Sequence, residues 1–67
     1  MNIYLKKIRS ENNLTHKEMA NLIGLKTASA YYKKEMGSTP FSLNEAKIIS
    51  EFFDKTIEDI FFDNELS

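Results

Sequence analysis

The 67-residue chain contains no cysteine and no tryptophan, two glycines, one proline and a single histidine. Without cysteine it has neither a disulfide framework nor a thiolate metal site, and one histidine cannot form an imidazole cluster. A domain of this size then depends on side-chain packing for its stability, with a partner chain as a further contribution. The composition, 42% hydrophobic and 28% charged, is that of a folded globular domain and argues against disorder.

Long apolar runs are missing as well. No stretch approaches the roughly 20 apolar residues that span a bilayer, and residues 1–7 lack the apolar segment of a signal peptide. We therefore expect a cytoplasmic protein without membrane contact. The chain also has no nucleophile–base pair, no phosphate-binding loop and no metal-ligand spacing, so we expect no enzyme activity, no cofactor and no metal.

The net charge is only −1, but it is distributed unevenly. Residues 1–39 contain seven basic and three acidic side chains, whereas residues 40–67 contain two basic and seven acidic ones. The positive first half is compatible with a phosphate-binding face, although the overall pI of 5.7 is acidic.

Local patterns predict five short helices and no sheet, because β-branched residues never alternate at period two. The first helix runs from about Ile3 to Asn12, with its apolar side chains turned inward. Its cationic side chains are predicted on the opposite face: Lys6, Lys7 and Arg9.

Helix boundaries are marked by capping and glycine signals. Gly24 ends the second helix, and Gly37 closes the third, which spans about 26–35. Helices two, four and five each start at a hydroxyl residue followed three positions later by an acidic one. These caps are Thr15, Ser42 and Thr56.

Helix four carries two apolar stripes. Its inner stripe is predicted to consist of Leu43, Ala46, Ile49, Ser50 and Phe53. A second stripe lies off that face and would be exposed on a monomer, which usually marks an interface. We therefore predict a dimer interface formed by Ile48, Phe52 and Phe62. The alternative is a different rotation of helix four that buries these residues internally.

Residues 15–36 predict a helix, a tight turn and a second helix that begins with short polar side chains, which is the helix-turn-helix arrangement. Ala20 is small where the two helices cross, Gly24 supplies a positive φ, and Leu25 fills the space under the turn. The exposed first turn of the second helix can enter a major groove about 12 Å wide.

Matching motifs then extend over nearly the whole chain: LKKIR at 5–9, LT at 14–15, MA at 19–20, IGL at 23–25, KEMG at 34–37, PFSL at 40–43 and TIEDIF at 56–61. With these motifs the sequence resembles the Cro/cI (Xre) family of phage repressors. The resemblance implies an all-α, compact five-helix bundle whose third helix reads DNA. We expect residues 1–62 to form this domain and residues 63–67 to form a short acidic tail.

Carried over residue by residue, the resemblance implies which side chains contact DNA. His16 stands where many members have a glutamine that contacts phosphate and braces the recognition helix. The loop after helix three, usually basic in the family, here offers only the hydroxyls of Ser38 and Thr39. The predicted DNA-binding residues are His16, Lys17, Lys26, Thr27, Ala28, Ser29, Tyr32, Lys33, Ser38 and Thr39.

The chemistry of these side chains suits base edges and phosphate. Lysine can bond guanine, hydroxyls discriminate little, and Ala28 can touch a thymine methyl. Tyr31 is predicted inward and Tyr32 outward. For His16 and Lys17, a solvated position without DNA contact is the other interpretation.

The sequence thus predicts a dimeric, sequence-specific regulator of transcription that binds double-stranded operator DNA, a phage or prophage repressor. A chain of this length leaves no room for a sensing domain, so we expect release through concentration, an antagonist protein or competition for the operator. The alternative function is a helix-turn-helix used as a protein-interaction module, as in an antitoxin, antirepressor or adaptor.

Overall fold

A computed structural model describes residues 2–61. These residues form five helices, which confirms the all-α architecture predicted from the sequence. The helices are α1 (Ile3–Glu11), α2 (His16–Leu22), α3 (Ala28–Glu35), α4 (Leu43–Phe52) and α5 (Ile57–Ile60). The predictions made for Phe62 and for the tail 63–67 lie outside the described residues.

Each helix begins at a side chain that caps its first amides. Asn2 accepts the amide of Leu5 at 2.8 Å to start α1, and Thr27 accepts the amide of Ala30 at 3.1 Å to start α3. The other three helices have full capping boxes, in which hydroxyl and carboxylate satisfy each other's backbone amides. As predicted, those boxes start at Thr15, Ser42 and Thr56.

The first four helices end in one common way. After each C-cap a residue adopts positive φ, and the next amide bonds to a carbonyl five residues back, which satisfies groups left open at a helix end. These bonds measure 2.8–3.0 Å. The positive-φ residues are Asn13, Gly24, Gly37 and Asp54.

The core lies between two helix pairs, α2 with α3 and α4 with α5, closed by the buried face of α1. Phe41 joins them from the connection between α3 and α4. Its ring centre is 6.1 Å from that of Tyr31 and 5.1 Å from that of Phe61, both in edge-on contact. The buried hydrophobic residues are Leu5, Ile8, Met19, Ala20, Ile23, Tyr31, Phe41, Ala46, Ile49, Ile60 and Phe61.

Asn2 fastens the start of α1 to two other helices. Its backbone amide donates to the carbonyl of Glu35 at 2.9 Å, and its side-chain amide donates to the carbonyl of Ile60 at 2.9 Å. The ends of α3 and α5 are therefore fixed against the start of α1 by bonds between residues far apart in the chain.

One prediction about α4 is wrong. Ala46, Ile49 and Ser50 are buried and Phe53 is partly buried, as expected, but Leu43 is 64% exposed. Leu43 is the first residue of α4, and helical side chains lean toward the N-terminus. A side chain at the first position therefore leans beyond the start of the helix, which explains the exposure of Leu43.

Candidate nucleic-acid interface

The connection between α2 and α3 fixes the angle at which α3 is presented. Gly24 has a φ of +80°, and the amide of Leu25 donates to the carbonyl of Ala20 at 2.8 Å, which ends α2 abruptly. Ala20 is fully buried and Leu25 is partly buried against the core. The positive φ predicted for Gly24 is thus confirmed.

The first turn of α3 is turned toward solvent. Thr27 caps the helix and is exposed, and Ala28 is partly buried. Residues 29, 32 and 33 are spaced so that they share one face of a helix. The exposed residues before and along this face are Lys26, Thr27, Ser29, Tyr32 and Lys33, and we call these five residues the α3 outer face.

The opposite side of α3 is anchored inside the protein. Tyr31 is fully buried, while Tyr32 is 46% exposed, so the predicted orientation of this pair is confirmed. One helical turn on, Glu35 is only 1% exposed. Its carboxylate accepts hydrogen bonds from the Tyr31 hydroxyl at 2.8 Å and from Arg9 Nε at 2.8 Å.

Arg9, which belongs to α1, holds the Glu35 carboxylate with a second bond. Besides Nε, its Nη2 donates to the second Glu35 oxygen at 3.3 Å, and its Nη1 donates to the carbonyl of Leu14 at 2.9 Å. The prediction that Arg9 lies on the solvent face of α1 is therefore wrong. Arg9 lies four residues after the buried Leu5, a spacing that places both on one side of a helix.

Two pKa values in this network are raised. Burial, together with the hydrogen bond to Glu35, raises the pKa of the Tyr31 hydroxyl well above its ordinary value. The hydrogen bond to Glu35 also raises the pKa of Arg9. Tyr31 consequently stays a neutral donor and Arg9 a cation across the physiological range.

Comparison with known proteins agrees with this geometry. A family model described as Helix-turn-helix matches residues 5–60. The chain belongs to the Cro/cI-type helix-turn-helix family. No match was found among the curated proteins or among the solved structures. A domain of this family is a DNA-binding regulator domain of the helix-turn-helix type.

His16, the first residue of the helix-turn-helix, is only partly available to solvent. Its side chain is 36% exposed, and its ring centre lies 5.2 Å from that of Tyr32 and 6.0 Å from that of Tyr31. Its Nε2 is 3.8 Å from a Glu35 oxygen. The residue predicted to contact phosphate thus lies between the buried anchor and the α3 outer face.

Lys17, on α2, forms a hydrogen bond to the segment that precedes α3. The residue is exposed, and its ammonium donates to the carbonyl of Lys26 at 2.9 Å, which ties α2 to the segment that precedes α3. An ammonium carries three donors, so this bond leaves others for a phosphate.

The loop after α3 is exposed at the two predicted positions. Ser38 and Thr39 both face solvent, and their amides approach the carbonyl of Lys33 at 2.8 Å and 3.4 Å. Lys34, by contrast, is partly buried and bonds to the carbonyl of Pro40 at 2.9 Å and to Glu45 at 3.0 Å. Lys34 therefore fixes the loop to α4, while the two hydroxyl residues remain accessible.

The predicted dimer residues differ in exposure. Phe52 is 53% exposed and stacks edge-on against Phe53 at 5.0 Å, whereas Ile48 is partly buried against the core. Beside Phe52 lies an open groove of about 580 Å³ between α1 and the end of α4. The groove residues are Tyr4, Lys7, Ile8, Glu11, Asn12, Phe52, Phe53, Asp54 and Lys55.

Residues 2–61 contain neither a cluster of metal-binding side chains nor a helix that could span a membrane. In that range no three acidic or histidine side chains come together as a metal would require. No helix formed by these residues has the length and apolar character needed to cross a bilayer.

The hydrogen bonds of Tyr31 and Arg9 to Glu35, which hold the inner face of α3, were not predicted from the sequence. The signal was present, because Glu35 lies four residues after the inward Tyr31 and a basic residue on α1 lies four after Leu5. Two charges on the inner faces of neighbouring helices are expected to pair, since an unpaired buried charge is costly.

Proposed function

We propose that this protein is a sequence-specific, double-stranded DNA-binding regulator of transcription, a phage or prophage repressor that inserts α3 into the major groove as a dimer. The established part is the DNA-binding helix-turn-helix domain. The proposed parts are the contacts made by individual side chains, the repressing role, the phage or prophage origin and the dimer. Repression by occupying a promoter needs binding alone.

One observation supports the proposal: the inner and outer faces of α3 differ in burial and in chemistry. Its inner face is fixed by the Tyr31, Glu35 and Arg9 network, while its outer face presents two lysines, two hydroxyls and a tyrosine to solvent. Polar exposure alone is common among surface helices, but this face combines positive charge with short hydroxyl side chains near the start of α3. A helix that enters a major groove needs donors of this kind at its first turn.

The contacts divide into two groups. Lys26 and Lys33 supply the positive charge of the α3 outer face. The ammonium of Lys17 and the hydroxyls of Ser38 and Thr39 are proposed to add donors to it. These groups are proposed to contact phosphate, which positions the protein without reading sequence. Thr27, Ala28, Ser29 and Tyr32 are proposed to face base edges. Because no arginine, asparagine or glutamine lies among them, apolar contact and DNA shape are expected to contribute to specificity.

The proposal is tested by measuring affinity for DNA. Fluorescence anisotropy would compare the DNA upstream of the protein's own gene with a random duplex of equal length, over a series of salt concentrations. If Lys17, Lys26 and Lys33 of each protomer neutralise phosphate, a dimer is expected to show a slope of log affinity against log salt of about −5. Preference for the upstream DNA of at least about 1,000-fold is expected.

A pair of matched substitutions tests whether the α3 outer face binds DNA. Lys33→Gln removes a charge from the α3 outer face, and Lys47→Gln removes one from an exposed position on α4. We expect Lys33→Gln to weaken binding to all duplexes and to make the salt slope shallower by about 1 for each phosphate that is no longer neutralised. Lys47→Gln is expected to change neither the affinity nor the salt slope. Equal effects of both substitutions would contradict the assignment of α3 to the groove.

The exposure of Phe52 favours a second function, that of a protein-interaction module. The same experiment separates the two. Undetectable binding to any duplex at low salt contradicts the repressor and favours a protein partner.

A further inference from the structure

The open groove between α1 and the end of α4, which we call the α1–α4 groove, has no lining residue from α2 or α3. Its volume is about 580 Å³, and its lining includes the aromatic rings of Tyr4, Phe52 and Phe53. Phe52 is 53% exposed, and exposed apolar surface beside a groove is typical of a contact with another molecule. The groove therefore offers apolar surface on a part of the protein that the helix-turn-helix does not use.

Four charged side chains line the same groove. Lys7 and Glu11 lie four residues apart on α1, which places them on one face of that helix, and Asp54 and Lys55 follow the end of α4. All four are exposed, and within residues 2–61 none of them belongs to an ion pair. The α1–α4 groove thus combines apolar surface with exposed charge of both signs.

Both anions lie where their own helices disfavour them. Glu11 is the last residue of α1, and Asp54 follows the C-cap of α4 with a φ of 56°. A carboxylate near a helix C-terminus is repelled by the partial negative charge of the unpaired carbonyls, and a positive φ suits glycine or asparagine better than aspartate. The helices therefore give no reason for either charge, whereas a cation brought to the groove by another molecule would stabilise both.

The balance of charge indicates which kind of molecule fits. A nucleic acid or a strongly acidic protein would be attracted by the two lysines but repelled by the two carboxylates, and a strongly basic protein would meet the reverse. A second copy of this chain presents the same balanced set. When two copies meet about a two-fold axis, the same patch contacts itself and every residue pair occurs twice.

We propose that the α1–α4 groove is the contact surface between two copies of this chain, with the two α1 helices antiparallel, so that Lys7 of each copy faces Glu11 of the other. Phe52 of each copy packs against the apolar lining of the other groove. This inference rests on the dimer of the proposed function and names its surface. The charges set partner and orientation, and the desolvated phenylalanine supplies affinity.

Charge reversal on α1 tests the pairing. Lys7→Glu leaves two acids on this face of each copy and Glu11→Lys leaves two bases, so either variant alone brings like charges together twice. In sedimentation equilibrium without DNA, we expect each homodimer to be about 10-fold weaker than that of the wild type. An equimolar mixture restores both opposite-charge pairs, and native mass spectrometry should show the mixed dimer in excess over either homodimer.

A double substitution separates pairing from the effect of each single change. Lys7→Glu combined with Glu11→Lys in one chain exchanges the two charges and leaves their number unchanged. We expect this chain to form homodimers of wild-type strength. Thermal unfolding shows whether each variant is folded, and the double substitution decides the question if one of the single variants is not.

The matched control lies on α4. Lys47→Glu and Glu51→Lys repeat the two reversals at the same spacing, on exposed residues that do not line the α1–α4 groove. We expect both variants to dimerise as the wild type does, and their mixture to show no preference for the mixed dimer.

Three results would overturn the inference. A wild type that stays monomeric at about 1 mM excludes a second copy as the occupant and leaves the groove to a different protein. Homodimers of Lys7→Glu and Glu11→Lys as strong as the wild type exclude the pairing across α1. A preference for mixed dimers in the α4 control as well would assign the attraction to overall charge and not to the groove.

The DNA measurements report separately on the proposed function. A wild type that dimerises through the groove but binds no duplex upholds this inference and contradicts the regulator. A wild type that prefers the upstream DNA while remaining monomeric upholds sequence-specific DNA binding and overturns this inference.

Discussion

Glu35 is the one charged residue that is buried among residues 2–61, and four groups surround its carboxyl and carbonyl oxygens. Its oxygens accept from Arg9 and Tyr31, one of them lies near His16, and its backbone carbonyl accepts from Asn2. A carboxylate in such a position is stable only while its partners remain in place. Glu35 therefore makes the position of α3 depend on α1.

We expect Glu35→Gln to destabilise the domain by about 3 kcal/mol, because it leaves the Arg9 charge partly buried without its partner. Urea denaturation followed by circular dichroism measures the change. Glu58→Gln makes the same chemical change at an exposed position of α5 and is expected to alter stability by less than about 0.5 kcal/mol. Similar unfolding free energies for wild type and Glu35→Gln would show that the pair contributes nothing to the fold.

Glu45 performs two tasks on α4. It accepts the amide of Ser42 at 2.8 Å in the capping box and pairs with Lys34 at 3.0 Å. Burial alone raises the pKa of Glu45, but the Ser42 and Lys34 hydrogen bonds outweigh it, so the pKa lies below its ordinary value of 4.5. A carboxyl whose pKa is lower in the folded state stabilises the protein above the ordinary value and loses that contribution as pH falls through the lowered one.

We expect Glu45→Gln to cost up to about 1 kcal/mol at pH 7, because glutamine keeps the capping geometry but removes the ion pair. The difference from wild type should shrink as pH falls below 4.5 and through the lowered pKa of Glu45, where the wild-type carboxyl becomes protonated. Unfolding free energies measured from pH 3 to pH 7 test this, with Glu51→Gln on the exposed side of α4 as the control. A difference that is constant over this range would exclude the charge as its source.

At the scale of the helices, the first four share one ending, in which a residue with positive φ follows the C-cap. Two of the positive-φ positions are glycine, but Asn13 and Asp54 adopt φ of 57° and 56° with side chains. Asparagine and aspartate tolerate this region better than other residues, although less well than glycine. The turns are therefore specified locally, by residue type at each C-terminus.

Gly24 allows the backbone cost of its turn to be measured alone, because a Cβ added there meets no atom within 4 Å. We expect Gly24→Ala to destabilise the domain by about 1–2 kcal/mol through its positive φ, and Gly24→Asn to cost less. The reverse change, Asp54→Gly, should stabilise by up to about 1 kcal/mol. Thermal unfolding of the three variants tests the set, and equal stability of Gly24→Ala and wild type would contradict it.

The sequence predicted what is local. The three capping boxes, the positive φ of Gly24 and the orientation of Tyr31 each depend on a few neighbouring residues, and each prediction was confirmed. The pairing of Arg9 with Glu35 depends on the packing of α1 against α3, which joins residues 26 positions apart. The exposure of Leu43 depends on where the other helices end. Periodicity along a helix indicates which side chains lie on its inner face, but not which residue of another helix each of them meets.

At the scale of the whole molecule, size bears on how two copies would sit on DNA. The Cα atoms of the described residues extend 25 Å along the longest axis, and side chains add several ångström at each end. Two copies centred about 34 Å apart on successive major grooves would therefore be close enough to touch. A surface that meets the second copy is expected to expose apolar side chains, and Phe52 does so beside a groove lined by two cations and two anions.

The proposed dimer predicts a difference between two exposed apolar residues of α4. Phe52→Glu places a charge in the proposed interface, whereas Leu43→Glu places the same charge on a side chain that is also largely exposed, at the other end of the helix. In sedimentation equilibrium we expect the wild type and Leu43→Glu to form dimers, and Phe52→Glu to remain monomeric over the same concentrations. Phe52→Glu should also bind its selected site at least about 10-fold more weakly, because two half-sites are no longer bound as a unit. A monomeric wild type, or equal behaviour of the two variants, would remove Phe52 from the interface and leave α3 to bind DNA one protomer at a time.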